Sequence, residues 1–268
     1  SHNGSELSQD ILFYHKRPQV VFETKARWKE KQILLKVAFP FNVKANQAVF
    51  ETQFGAITRS TKRKSDLDRA RFEVPLQQWA DVADVKFGVS LLNDCKYGCD
   101  TKDNTIRLTL LRSPFYPHPI EPWRFNDVKH TDQGEHVFSY ALAPHTGNWK
   151  HGDSTRRARE FNNPLLVLQN VVGKRMKPLV HCNKRNIVID CVKKAEDTNE
   201  VVVRLHEGYG DSTDAFLMPG FKTRNISECD LMEQSVKPLK LLKEKIQLKF
   251  KPFEIKTVKF DYRPGKNK

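Results

Sequence analysis

Apolar residues recur at every second position along this chain, in short bursts. ILLKVAFPF (33–41), AVFETQFGAI (48–57), KFGVSLLND (86–94), TIRLTLLRS (105–113), HVFSYALAPH (136–145), NIVIDCVKKA (186–195) and VVVRLHEG (201–208) each interleave β-branched, aromatic or aliphatic residues with polar ones. Several are separated by Gly, Pro, Asn or Asp. A period of two places successive side chains on opposite faces of a strand. In TIRLTLL, Ile106, Leu108 and Leu110 share one face while Arg107, Thr109 and Leu111 share the other. One helix is expected, in TRRAREF (155–161), with Asp153 and Ser154 as N-cap residues and Asn162-Asn163-Pro164 closing it. Strands therefore dominate, and the fold class is all-β.

GKRMKPLVHCN (173–183) separates the apolar run LLVLQNVV from the next strand, which suggests a boundary there. The expected architecture is a large, supersandwich-like β-sandwich over residues 1–177, followed by a smaller C-terminal β-sandwich over 178–268. Both lengths are ordinary for domains. No repeat of fixed period and no low-complexity tract is present.

Composition narrows the partners. The 268 residues carry 46 Lys+Arg against 32 Asp+Glu, a formal net charge of +14, which raises the possibility of a polyanionic partner. From Lys237 to Lys268, however, ten Lys and one Arg face three acids, so +8 of the excess lies at one end. There IQLKFKPFEIKTVKFDY (246–262) alternates Lys with Ile, Leu and Phe, the pattern of strands with one solvated face. No zinc-finger spacing, RNP-type aromatic motif or helix-turn-helix accompanies it, so no nucleic-acid partner is expected. The five cysteines are too few and too scattered for a disulfide scaffold, which favours a reducing, cytoplasmic setting. No apolar run approaches the roughly 18 residues of a membrane span, and the first residues do not resemble a signal peptide, so no membrane partner is expected.

Candidate chemistry is sparse. HExxH, GxSxG, GxxxxGK[ST] and paired CxxC are all missing, and Cys95-x3-Cys99 has no matching second half. His130, Asp132 and His136 in HTDQGEH offer donors of the kind zinc uses; a loop entering the strand HVFSYALAPH explains the same residues. In LLNDCKYGCD, Asn93, Asp94, Lys96 and Tyr97 gather at a strand end, with Gly98 permitting a tight turn. This is either a polar hairpin turn or a cluster suited to hydrogen-bonding a sugar or a neighbouring domain.

At these residues the chain resembles the C-terminal part of the glycoside hydrolase family 38 α-mannosidases, most of all the cytosolic/vacuolar and bacterial branch. The similarity runs through TKARWKEKQILLKVAFPFNV (24–43), AVFETQFGAITRST (48–61), RARFEVPLQQWADVAD (69–84), FGVSLLNDCKYG (87–98), LTLLRSPFYPHP (108–119) and DQGEHVFSYALAPHTGNW (132–149). Two departures stand out: Arg59 is followed by Ser60, Thr61 and Lys62 where the family commonly reads R-P-T-H, and PIEPWRFNDVKH separates LLRSP from DQG.

The resemblance implies a parent enzyme that hydrolyses terminal α-linked mannose with retention, using a zinc ion and two carboxylates. In the family, the zinc ligands and nucleophile belong to an N-terminal α/β domain, which lies outside the matched region. No catalytic residue and no metal ligand is therefore assigned to this chain, and the chain alone is expected to be inactive. Its expected partners are that catalytic domain and an α-mannoside oligosaccharide. The resemblance makes Arg112 the candidate for reaching the sugar, with Asp132 as its partner, and sets Asn93, Asp94, Lys96 and Tyr97 at the pocket rim or domain interface. Two rival readings are a carbohydrate-binding module, which requires an exposed platform among Trp28, Trp79, Trp123 and Trp149, and a nucleic-acid binder using the basic tail.

Overall fold

A computed structural model describes residues 3–167, 169 and 178–262. The chain divides into two compact units, one of residues 1–52 and 57–165, the other of Gln53–Ala56 with the chain from Leu166 onward. The boundary expected between residues 177 and 178 falls beside residues 170–177, which lie outside those described.

Among the described residues, thirteen strands lie before Leu166: β1 (Glu6–Phe13), β2 (Val20–Trp28), β3 (Leu34–Pro40), β4 (Gln47–Thr52), β5 (Gly55–Ser60), β6 (Val74–Pro75), β7 (Trp79–Ala83), β8 (Phe87–Asn93), β9 (Gly98–Lys102), β10 (Thr105–Arg112), β11 (Phe115–Tyr116), β12 (Lys129–His130) and β13 (Gly134–Thr146). A seven-stranded sheet, ordered β1-β2-β13-β8-β7-β4-β5, faces a four-stranded sheet, β3-β10-β9-β6, while β11 and β12 form a separate ribbon. The core between the two sheets follows the alternation read from the sequence, except in β10, where a register shift between Thr109 and Leu111 breaks the pleat and Leu111, expected on the other face, is buried in the same cluster as Leu110. Phe138, Tyr140, Leu91, Ala80, Val82 and Phe50 come from the larger sheet, and Ile106, Leu108, Leu110 and Cys99 from the smaller. Burying one side chain of the size of Phe138 or Leu91 contributes about 1.5–3 kcal/mol.

The outer face of the large sheet is covered at β7 and β8. Helix α2 (Ser154–Asn162) packs over β7 and β8, and the Trp79 and Trp149 rings meet in a tilted contact with centroids 4.9 Å apart. Beneath the helix, Asp81 accepts from Ser90 Oγ at 2.7 Å and pairs with His145 Nε2 at 2.6 Å, while Ser90 and Ser154 share a hydroxyl hydrogen bond. The His145 ring fits because residue 88 is glycine; a Cβ there would lie 2.4 Å from Cε1.

Three local expectations change. The run 48–57 is not one strand, because it turns at Gln53-Phe54, with Phe54 in the left-handed region (φ 57°), and splits into β4 and β5. Asp153 is itself left-handed and makes no side-chain cap bond to α2; Ser154 lies inside the helix and donates back to the Trp149 carbonyl. A second helix, α1 (Asp66–Ala70), forms because Ser65 and Asp68 make a reciprocal capping box.

The second unit contains β14 (Val180–Cys182), β15 (Ile187–Lys194), β16 (Val201–Glu207), β17 (Thr213–Pro219), β18 (Ile226–Cys229), β19 (Ser235–Pro238), β20 (Ile246–Phe250) and β21 (Ile255–Phe260). They form a three-stranded sheet, β14-β17-β20, and a five-stranded sheet, β15-β16-β21-β18-β19. The core holds Leu217, Ile246, Leu248 and Phe250 from the first and Val203, Leu205, Val258 and Phe260 from the second. The architecture is all-β, as expected.

Strand β20 has the predicted solvated face, exposing Gln247 and Lys249 between buried Ile246, Leu248 and Phe250. Strand β21 does not, because it sits between β16 and β18. There Lys256 is buried against Glu228 (3.0 Å) and Glu254 (3.1 Å), and Lys259 pairs with Glu200 (3.4 Å). Burial works to lower the Lys256 pKa, but the two carboxylates outweigh it and hold the ammonium above the ordinary lysine range.

Candidate functional site

The two groups of residues singled out from the sequence lie on different strand ends. Strand β8 ends at Asn93, which is 1% exposed. Its amide Nδ2 donates to the Gln77 carbonyl (2.9 Å) and its Oδ1 accepts from the Lys96 backbone N–H (2.7 Å), so the side chain closes the turn and ties it to the segment before β7. Asp94 accepts from the Ser139 N–H (2.8 Å) on β13. Its other carboxylate oxygen is buried without a hydrogen bond. The Lys96 ammonium sits 4.3 Å from the centre of the Phe138 ring, a cation–π contact. Only Tyr97, 55% exposed, presents its side chain freely to solvent. Gly98 opens β9 rather than making the turn; a Cβ there would strike the Glu73 carboxylate at 2.4 Å. Cys95, within this turn, has its thiol pushed up to about 11 by burial and by the adjacent Asp94 carboxylate.

Arg112 is the last residue of β10. Asp132 does meet it, but through the backbone: the carboxylate accepts the Arg112 N–H at 2.8 Å, and Thr131 Oγ1 donates to the Arg112 carbonyl at 2.9 Å. Asp132 is left-handed (φ 53°), the conformation that brings its short carboxylate back onto the strand end. The Arg112 guanidinium makes no hydrogen bond or ion pair among the described residues and lines a groove of about 360 Å³ with Ile33, Leu34, Phe72, Glu73 and Phe115. None of Asn93, Asp94, Lys96 and Tyr97 lines that groove. The arrangement offers one free guanidinium fork beside an apolar wall, a combination that suits a sugar's hydroxyls and its C–H face.

The histidine cluster does not make a metal site. His136 Nε2 contacts the Asp132 backbone carbonyl at 2.9 Å, and the His130 ring packs on Phe115 at 4.9 Å within the β11–β12 ribbon. No group of three or more His, Cys, Asp or Glu that could hold a metal ion occurs among the described residues. The donor set therefore does not fit a catalytic zinc.

Of the four tryptophans, Trp28 (7%), Trp79 (0%) and Trp149 (8%) are interior; Trp123, on a 3-10 turn at Pro122–Arg124, is 75% exposed. One of the four rings is thus exposed, so the requirement of a binding module for an exposed tryptophan is met at Trp123 alone among the four. No described helix is long and apolar enough to cross a membrane.

One cluster escaped the sequence reading. Asp100 on β9 receives Lys36 (2.6 Å), Arg63 (2.9 Å) and its cross-strand neighbour Arg107. The alternation in TIRLTLL already turned Arg107 away from the core, but Asp100 and Arg63 carried no comparable signal.

Comparison with known proteins follows the same division. The glycosyl hydrolases family 38 C-terminal domain matches residues 1–120, and the family 38 C-terminal beta sandwich domain matches residues 186–258, together more than two thirds of the chain. The chain belongs to the C-terminal region of glycosyl hydrolase family 38. Among curated relatives of this region, alpha-mannosidase G of Dictyostelium discoideum is 35% identical over 97% of the chain, and human alpha-mannosidase 2C1 is 33% identical over 94%. The chain spans about 24% of the length of either relative. The crystal structure of an alpha-mannosidase from Enterococcus faecalis V583 superimposes with a TM-score of 0.75 at 20% identity, over 95% of this chain and 29% of that one, which establishes the shared fold.

Proposed function

We propose that this chain is the non-catalytic C-terminal β region of a retaining, zinc-dependent α-mannosidase that removes terminal α-linked mannose. The observation that carries the reading is the lopsided match: nearly the whole chain aligns with alpha-mannosidases, yet it accounts for only about a quarter of them. The chemistry then belongs to the remaining three quarters. The zinc and both carboxylates are supplied by the N-terminal catalytic region, the partner of this chain in the same polypeptide. The substrate is an α-mannoside oligosaccharide, and the enzyme is cytoplasmic, in keeping with five unpaired cysteines.

Within this role Arg112 is the residue that contacts sugar, because its backbone is pinned by Asp132 while its guanidinium is left without a partner beside the groove. Asp132 is a positioning residue. Asn93, Asp94 and Lys96 hold the turn, leaving Tyr97 as the one side chain of that group able to reach across to the catalytic region. Arg112→Ala in the enzyme carrying both regions lowers kcat/KM at least tenfold, as expected for the loss of a charged hydrogen bond worth about 1.5–3 kcal/mol. An unchanged kcat/KM removes Arg112 from the site.

A further inference from the structure

A second pocket, of about 300 Å³, opens beside α1 and is lined by Arg59, Arg63 and Arg71 together with Asp68 and Asp100. Both carboxylates are already engaged. Asp68 closes the capping box, accepting the Ser65 N–H at 3.1 Å, and hydrogen bonds from the Ser65 backbone and hydroxyl hold its carboxyl below the usual range. Asp100, 5% exposed at its side chain, takes Lys36 at one oxygen and both Arg63 and Arg107 at the other. Arg63 also donates to the Phe72 carbonyl at 3.1 Å. Arg59 is left over: its Nε is buried, and its guanidinium has no hydrogen-bond or ion-pair partner among the described residues. A buried charged donor without an acceptor is costly, and such a group in a native protein calls for a ligand, ion or water. Three arginines face two carboxylates here, and one of those carboxylates is countered again by Lys36 and Arg107. Even with Glu73 sharing Lys36, cationic side chains outnumber carboxylates around the half-buried Arg59, which favours a negatively charged acceptor.

We propose that this pocket binds a small oxyanion of the phosphate class, with Arg59 as its central ligand. A guanidinium fork matches two phosphate oxygens, and a tetrahedral anion leaves further oxygens for Arg71, which lines the same pocket, beyond those a planar carboxylate supplies. The volume leaves room for a group attached to the phosphate.

The test is thermal unfolding and calorimetric titration of the 268-residue chain in phosphate-free buffer, with inorganic phosphate, sodium acetate or sodium chloride added at matched ionic strength. Phosphate should raise the melting temperature saturably, and acetate and chloride should not. Arg59→Ala and Arg71→Ala should each weaken phosphate binding at least tenfold. Arg59→Lys, which keeps the charge but loses the fork, provides the same test if the alanine variant fails to fold. A hexose 6-phosphate that binds more tightly than inorganic phosphate identifies the source as a phosphorylated sugar, and equal binding identifies the free ion; both support the site. Equal shifts with chloride or acetate, or phosphate binding unaffected in the Arg59 variants, overturn it.

Discussion

Asn93→Ala separates a structural turn from a sugar-contacting one. The substitution removes two hydrogen bonds at once, leaving the Gln77 carbonyl and the Lys96 N–H without the partner that reached them at 2.9 and 2.7 Å. An unsatisfied buried group costs about 1–3 kcal/mol. Asn93 is 1% exposed, so the Gln77 side of the loss is unrelieved, whereas Lys96 is only half-buried and regains part of its loss from water. The sum is about 2–4 kcal/mol. For a unit of this size each kcal/mol shifts the melting temperature by about 2–4 °C, giving a fall of about 5–15 °C by differential scanning calorimetry. Asn93→Asp keeps the acceptor but sets a carboxylate oxygen against the Gln77 carbonyl at a nearly fully buried site, and should fall at least as far as alanine. Tyr97→Ala, at a 55% exposed ring, should stay within about 0.5 kcal/mol of wild type. A melting temperature for Asn93→Ala within 1 °C of wild type would refute the assignment of Asn93 as the lock of this turn.

Two further outcomes follow from the perturbed groups. Cys95 is exposed, but its thiol is held near pKa 11 rather than 9.0, so at pH 8 its alkylation by iodoacetamide should run about 100-fold slower than that of an unperturbed thiol; equal rates contradict the shift. Because the Lys256 pKa is raised on folding, its contribution to stability is complete below about pH 10.5 and is lost as pH climbs through the folded value. The urea midpoint of Lys256→Met should therefore lie below wild type at pH 7–10 and converge with it at higher pH, and a gap that persists unchanged contradicts the pairing with Glu228 and Glu254.

How far the sequence could be read depended on whether a feature was local. The alternation in TIRLTLL located the core face of β10 at Ile106 and Leu108, but not the irregularity between Thr109 and Leu111 that buries Leu111 beside Leu110, because a bulge depends on the pairing with β3. Strand β1, ELSQDILF, has no clean alternation since it lies at the sheet edge with most residues exposed, so only pairing with β2 defines it. The turn at Gln53-Phe54 was hidden because its left-handed residue is Phe rather than Gly or Asn. Helix α1 is too short for periodicity, although Ser65 and Asp68 carried a readable capping signature. At the candidate site, the Asp132–Arg112 proximity was legible, but its form was not. Which atoms meet depends on the left-handed backbone at Asp132. Likewise, the burial of Asn93 depends on the Gln77 carbonyl, sixteen residues away.

The most direct measurement is hydrolysis of an aryl α-mannoside by two purified proteins in the presence of zinc: the 268-residue chain alone, and the polypeptide that joins it to its upstream coding region. The account predicts turnover by the joined polypeptide and none by the chain alone. Turnover at an ordinary enzymatic rate by the isolated chain, or an upstream-joined enzyme inert toward α-mannosides, would contradict it.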